Sequence, residues 1–497
     1  MTTSSAGLGP DGGAAAQVTQ LVTSIEPELR GSIHEERIAA IRRRVEGPLR
    51  VAIAGRVKAG KSTLLNALVG ERLAPTDAGE CTRIVSYYRR GNGYDVSARL
   101  RSGESRTLAF QRTNGALSIS LGDLAERDIA SLDIAWPAST LDRTTLIDTP
   151  GLASVNDENS RRTREFLEHD ADRPTDADAV IYLMRHLHKS DVAFLDAFMD
   201  RSVTAASPVN AVAVLSRADE IGAGRRDAMD SALRIARRYS EDSLVRSLAA
   251  TVVPVCGLLA ETGLTLREDE AAALRGLAAT PPETLETMLL SADHLCEPDV
   301  SELTVELRRD LLDRLGMFGV RIAVDLVQAG KATTAAALAP LLIEQSGLTR
   351  LRKVIDEHFG PRARVLQARS ALIALRALAR DLRSSHAAIA DRLDREAERI
   401  EASAVDFSRV RAAHLVASGT VVVRDDERAD LDRLLLGSGP AALGVSRDAD
   451  RAAVRNAALA AIERWRSRAG DPLAAPALVE VFETAARACE SMYASVG

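Results

Sequence analysis

Residues 55–62 read Gly-Arg-Val-Lys-Ala-Gly-Lys-Ser, and the segments on either side of them restrict the fold severely. A short apolar run, residues 49–54, stands before them. Thr63-Leu64-Leu65-Asn66-Ala67-Leu68 follows with the composition of a helix. A glycine-rich turn between strand and helix lets the backbone curl until its N–H groups converge, and the helix N-terminus adds the positive end of its dipole. Such a turn cradles a polyphosphate. Gly55, Lys58, Ala59, Gly60, Lys61, Ser62 and Thr63 are therefore candidate phosphate-binding residues. Lys61 would reach the β and γ phosphates, and the Ser62 hydroxyl would ligate Mg2+.

The chain from 48 to 260 continues in the same style. Residues 144–147, 179–184, 211–215 and 251–255 are apolar strand candidates with helical stretches between several of them. This alternation predicts an α/β head with a mostly parallel sheet and helices on both faces. Residues 83–89, 94–100 and 106–110 look like a β insertion. Two tetrapeptides follow strands. In Asp148-Thr149-Pro150-Gly151, Asp148 would hold Mg2+ through water and the Gly151 N–H would sense the γ phosphate. In Ser216-Arg217-Ala218-Asp219, the Asp219 carboxylate would accept from the guanine N1–H and 2-amino group. Adenine lacks that pair of donors, so the expected ligand is GTP or GDP. The aliphatic stem of Arg217 would pack over the base. Were Asp219 only a helix N-cap, the chain would read as a P-loop ATPase. Thr82 is expected to complete the Mg2+ shell, with Thr76 as the competing choice. Val255 and Cys256, ending the last strand, would meet the guanine through backbone groups.

The 497 residues allow two or three domains. With aromatics at only 3%, long helices are favoured over β-sandwiches. A net charge of −6 leaves no basic footprint for nucleic acid. Cys81, Cys256, Cys296 and Cys489 are scattered, which predicts free thiols in a reducing compartment and no zinc site. Residues 1–16 read as a disordered tail, and no apolar run reaches the roughly 18 residues of a spanning helix. The expectation is a cytoplasmic protein that touches a membrane only from its surface. Residues 17–47 predict one N-terminal helix packing with the helical half, residues 48–295 the nucleotide-binding domain, and residues 296–497 an extended helical bundle or stalk. No Pro or Gly occurs from 362 to 418, where Val365, Leu372, Ala379, Leu393 and Ile400 share one heptad position. Ala368, Leu375, Leu382 and Ile389 share another. Forty residues of helix would span roughly 60 Å; shorter, bent helices in a bundle are the alternative. The Gly/Pro-broken segment 434–445 offers Leu434, Leu435, Leu436 and Leu443 for insertion into lipid headgroups, unless they cap the bundle core. Residues 315–327 are a second such segment. Hinges are expected near 296–298 and 316–319.

In order, GRVKAGKS, Thr82, DTPG and SRAD, with the flanking GKSTLLNALVGE and the helical C-terminal half, resemble bacterial dynamin-like GTPases. LSRADEIG and DTPGL are most similar to the actinobacterial isoniazid-inducible type, IniA and IniC. The resemblance implies a GTPase head on a helical bundle. It also implies association with itself or a sister GTPase, and membrane bending, fusion or repair from the inner face of the plasma membrane. Lys61, Thr82 and Gly151 would then be catalytic, with water held by backbone groups attacking the γ phosphate. Two positions depart from the pattern. Arg217 stands where the guanine motif usually has lysine. Val57 and Lys58 replace the polar uncharged residues of eukaryotic dynamins, and Lys58 resembles in position the internal arginine finger of guanylate-binding proteins. Lys58 is expected to supply charge in place of a monovalent cation, or else to be a solvated loop lysine. The competing reading is a soluble GTPase switch whose helical half binds a protein.

Overall fold

The computed structural model describes residues 13–74, 84–113, 116–150, 176–186, 192, 195, 210–298, 300–417, 419–437, 439–446 and 448–496. Its centre is a nine-stranded sheet in the order β11-β10-β9-β1-β8-β2-β7-β3-β4. The strands are β1 (Leu49–Gly55), β2 (Ser86–Arg90), β3 (Asp95–Leu100), β4 (Ser105–Thr107), β7 (Ile129–Trp136), β8 (Thr144–Asp148), β9 (Ala179–Met184), β10 (Ala211–Ser216) and β11 (Val252–Val255). A separate hairpin pairs β5 (Ala109–Thr113) with β6 (Ala116–Ser120). β11, β10, β9, β1 and β8 run parallel; β2 turns antiparallel to β8 and opens the insertion. β9 and β10 are buried at every position, as parallel strands covered on both faces must be. Their side chains alternate between two cores. Ile181, Leu183, Val212 and Val214 face one side, and Val180, Tyr182, Ala213 and Leu215 the other.

The helices are α1 (Ala14–Ile25), α2 (Glu35–Glu46), α3 (Lys61–Val69), α4 (Ala228–Glu241), α5 (Ser243–Leu248), α6 (Gly257–Leu264), α7 (Glu268–Ala278), α8 (Pro282–Met288), α9 (Ala292–Leu295), α10 (Val305–Gln328), α11 (Ala335–Gln345), α12 (Leu348–His358), α13 (Ala363–Leu382), α14 (Ala387–Ser403), α15 (Val405–Ala417), α16 (Asp425–Leu436), α17 (Gly439–Ala442), α18 (Arg451–Ala469) and α19 (Pro476–Ser495). Packing sorts them. α3 and α12 share the core of one sheet face. Leu259 of α6 joins Leu274, Leu311, Leu315, Phe318, Leu338 and Leu342 in a layer built by α6 to α11. α1 and α2 bury Val18, Val22, Ile25 and Ile38 against Leu372, Leu375, Leu393 and Ile400 of α13 and α14. α15, α16, α18 and α19 form a further core in which Trp465 stacks on Phe482.

Five expectations change. Residues 17–46 are two helices, not one: Pro27 sits at the start of a single 3-10 turn, and Gly31 at φ +74 reverses the chain. Helix α1 also begins at Ala14, inside the stretch read as tail, because Ala14 is buried in the bundle core. The forty-residue helix does not exist either. α13 ends before the polar run Arg383-Ser384-Ser385-His386, and Ala404, with ψ 113, breaks the chain again. The heptad residues of α13 and α14 face each other across a hairpin, so the same 4/3 seam is satisfied within the chain. Finally, Leu434 and Leu435 are 3% exposed and pack in the core with Trp465 and Phe482, while Leu436 and Leu443 lie half-buried against it. Arg409 donates to Leu434 O and Gly437 O, and Arg362 to Leu436 O. These bonds satisfy the free carbonyls at the end of α16, and in this structure Leu434 and Leu435 serve the core of the bundle. The 315–327 segment is likewise core, with Leu315, Phe318, Val320 and Val324 buried.

Candidate phosphate and base site

Strand register brings the sequence motifs to one edge. Ile53 lies opposite Asp148, Gly55 opposite Leu183, and Ser216 opposite Val255, all at the carboxyl ends of parallel strands. Ligands bind there in open α/β sheets because the loops and helix N-termini converge on that edge. Gly55 must be glycine: at φ +149, a β-carbon would stand 2.5 Å from the Leu183 carbonyl oxygen. Gly60 (φ +90) hands the loop to α3. Lys58 adopts φ +63, a left-handed conformation that costs a side-chain-bearing residue energy.

Lys61 lies across the loop and donates to Gly55 O and Arg56 O, each at 3.3 Å. Burial lowers its ammonium pKa, an effect that Asp148 opposes. The Ser62 hydroxyl donates to Asp148 Oδ2 at 3.3 Å. Asp148 is buried, and its carboxyl is pushed up to about 6 by desolvation, against the pull of Lys61 and Ser62. Its other oxygen, Oδ1, is buried with no hydrogen-bond partner among the described residues. A buried, unsatisfied carboxylate oxygen beside a hydroxyl, at the mouth of a phosphate loop, fits Mg2+. This hard ion keeps water and phosphate oxygens and takes few protein ligands. No group of three His, Cys, Asp or Glu that could hold a metal ion occurs among the described residues.

A cavity of about 150 Å3 opens beside the loop. Ala59, Gly60 and Thr63 line it from the phosphate side, and Ser216, Arg217, Asp219 and Val255 from the other. Arg217 (φ +51) sends its guanidinium to Glu220 at 2.6 Å, leaving its stem as wall. Desolvation raises the pKa of the Asp219 carboxyl, against the opposing pull of the neighbouring Cys256 side chain. Cys256 itself needs correction. Its side chain is buried outside the cavity lining, and its N–H donates to Ser346 O at 2.9 Å, so it is not free for a base. Gly257 and Leu258 line the cavity in its place. The Ser216 hydroxyl is spent on Met184 O. Thr82, Thr76 and Gly151 lie outside the described residues.

Sequence reading missed Asn66. Its Oδ1 accepts the N–H groups of Leu73 (2.9 Å) and Ala74 (2.7 Å), and its Nδ2 donates to Ala74 O and to Glu261. This network ties the segment leading to Thr82 onto the phosphate helix. An asparagine on the buried face of α3, where the pattern calls for an apolar residue, was the available signal.

Comparison with known proteins now bears on this geometry. Residues 51–202 match the Dynamin family model. Isoniazid-induced protein IniC of Mycobacterium tuberculosis is 40% identical over 456 residues, covering 91% of each chain. This chain belongs to the bacterial dynamin-like proteins of the IniA/IniC type. A bacterial dynamin-like protein of Nostoc punctiforme is 30% identical to this dynamin-like chain over 118 residues, 22% of this chain and 17% of its own. A solved structure described as "An oligomerised bacterial dynamin pair provides a mechanism for the long-range sensing and tethering of membranes" covers 84% of this chain and 70% of its own. Its identity is 15% and its TM-score 0.30, which supports no argument about how the parts are arranged. Family membership makes the head a dynamin-family GTPase domain, with guanine nucleotide as the implied ligand.

Proposed function

We propose that this chain hydrolyses GTP to GDP and phosphate with Mg2+, and that turnover moves the helical half relative to the head. The observation that carries this reading is the buried, unpartnered Oδ1 of Asp148 beside Ser62, with Lys61 held across the loop. Bound Mg2+ would neutralise charge on the β and γ phosphates. Lys61 would bind those oxygens, Ser62 and Asp148 would hold the ion directly and through water, and Thr82 and the Gly151 N–H would close on the γ phosphate. Positioning and charge neutralisation do most of the work in such a reaction. The strained φ of Lys58 supports a role for its ammonium at the transferring phosphoryl group. Lys58→Ala should lower kcat by about tenfold or more while GTP affinity stays within about twofold. Unchanged turnover would return Lys58 to the solvent.

The division of the chain is part of the reading. Helices α3 to α12 share cores with the sheet or with α6. The head is therefore drawn to about 358 and not to 295, with α1, α2, α13 and α14 as the adjoining bundle. Gly316, at φ +64 and ψ 169 inside α10, supports one of the two hinge segments.

Action on membranes from the cytoplasmic face, with pairing to itself or to a sister GTPase, is the reading favoured by kinship to dynamin-like proteins. The soluble switch with a protein partner gains from one observation, the burial of Leu434 and Leu435. No helix among the described residues is long and apolar enough to cross a membrane. GTP and ATP turnover, measured across protein concentration with and without liposomes, decides between the readings. GTP-selective turnover that rises with both variables supports the membrane GTPase. GTP-selective turnover that is flat in both supports the switch, and ATP turnover defeats both.

A further inference from the structure

Helix α10 interrupts itself beside the base site. Gly316 holds φ +64 and ψ 169, a combination essentially restricted to glycine. The break leaves Arg314 O free for the Thr262 hydroxyl of α6. It also brings Gly316 against the guanine-reading carboxylate: a β-carbon there would lie 3.7 Å from Asp219 Oδ2 and 3.6 Å from Leu258.

One turn further on, Arg321 is 7% exposed and has no carboxylate partner among the described residues. Its guanidinium donates to Ala223 O (3.2 Å) and Gly224 O (2.6 Å), in the loop that follows Asp219. It donates also to Leu289 O (2.9 and 2.6 Å) and Leu290 O (2.9 Å), past the end of α8. Ala223 has positive φ, a strained conformation for a residue with a β-carbon, beside Gly224, which adopts it freely. A planar fork of five donors suits this set of carbonyls, and an ammonium cannot reproduce it. An uncompensated charge is costly to bury, and ordinary packing would be met by an apolar side chain.

We propose that α10 sets the guanine selectivity of the site, with Arg321 and Gly316 as positioning residues for Asp219. Arg321 staples the 220–224 loop from behind, and the Gly316 break brings the α10 backbone alongside the carboxylate, so that Asp219 meets the base in one orientation. The proposal rests on Asp219 reading guanine. A fixed carboxylate is needed for its two oxygens to meet N1–H and the 2-amino group at once, whereas a base without the 2-amino group needs only one of them and tolerates a carboxylate that swings.

The test compares GTP with ITP, which lacks only that amino group, by displacement of a fluorescent GDP analogue in the full-length protein. Arg321→Lys and Gly316→Ala should each lower the GTP-to-ITP affinity ratio by about tenfold or more, with ITP affinity within about twofold of wild type. A lower Tm with an unchanged ratio in both variants would overturn the proposal, because a merely structural arginine affects both nucleotides equally. If Arg321→Lys does not fold, the ratio in Gly316→Ala decides. Asp219→Asn separates the two levels. It should erase the GTP preference and favour XTP, whose 2-oxo group accepts from an amide. If it leaves the wild-type ratio, the reading of Asp219 has failed, and with it the basis of the proposal.

Discussion

Asp148 carries opposing demands. Its carboxyl is buried with one oxygen unbonded among the described residues, which is costly for the ionised form and favourable for a cation at that oxygen. The folded value of about 6 lies above the ordinary 3.8. The contribution of this group to stability is therefore fully present below about pH 4 and is lost as pH rises through 6. In nucleotide-free protein, Asp148→Asn should raise stability at pH 7.5 by an amount on the order of 3 kcal/mol and leave it nearly unchanged near pH 4. Thermal unfolding at the two pH values checks this. The same variant should lose Mg2+-dependent GTP turnover at both. Stabilisation at pH 4 equal to that at pH 7.5 would mean that the carboxyl is not titrating there. This residue was legible from its place after a strand. Its strained partner in the loop, Lys58, was legible as a departure from pattern but not as a left-handed residue, since φ is set by the loop's closure around Gly55 and Gly60.

At the scale of elements, the joint between bundle and head holds a buried ion pair. Arg44 of α2 reaches the first residues of the β9 segment, donating to Asp178 Oδ1 from Nε (3.1 Å) and Nη2 (2.9 Å) and to Ala177 O. Asp178 Oδ2 accepts the Arg50 N–H at the start of β1. Both side chains are nearly inaccessible. Arg44→Ala would strand a buried carboxylate and should destabilise the protein by about 3–5 kcal/mol, read as a large fall in Tm. Arg44→Ala paired with Asp178→Ala should recover much of the loss. A small effect of the single variant would show that water reaches Asp178. From α13, Gln367 donates to Gly47 O and Arg364 to Val45 O, so the end of α2 is held on two sides. None of these partners is close in sequence, and no local pattern distinguishes Arg44 from the solvated arginines beside it.

Across the whole molecule, the helical half is two packed units and not one rod. The α15, α16, α18 and α19 unit uses Leu435 as core, whereas Leu473, 94% exposed in the loop before α19, packs on nothing. Leu435→Ala should cost about 2–5 kcal/mol, and Leu473→Ser should change stability by less than about 0.5 kcal/mol. Liposome flotation of both variants completes the test. Flotation lost in Leu435→Ala with Tm unchanged would restore the inserted loop, and the burial shown here predicts the reverse.

What the sequence determined by itself was local in character. A glycine-framed loop between a strand and a helix, followed at strand ends by Asp148 and Asp219, is enough to specify an α/β head and to nominate a phosphate and base site, because short segments dictate backbone conformation and ligand chemistry together. Amphipathic period likewise marked the helices. The tertiary structure decided where each apolar face finds its partner. Whether the seam of residues 362–418 pairs with another chain or folds back on itself, whether Leu434 and Leu435 face lipid or Trp465, and whether α10 belongs to a stalk or to the wall behind Asp219 all depend on contacts between residues far apart in the chain. Burial is non-directional and proportional to area, so the same apolar pattern is compatible with several partners, and only the folded chain selects one.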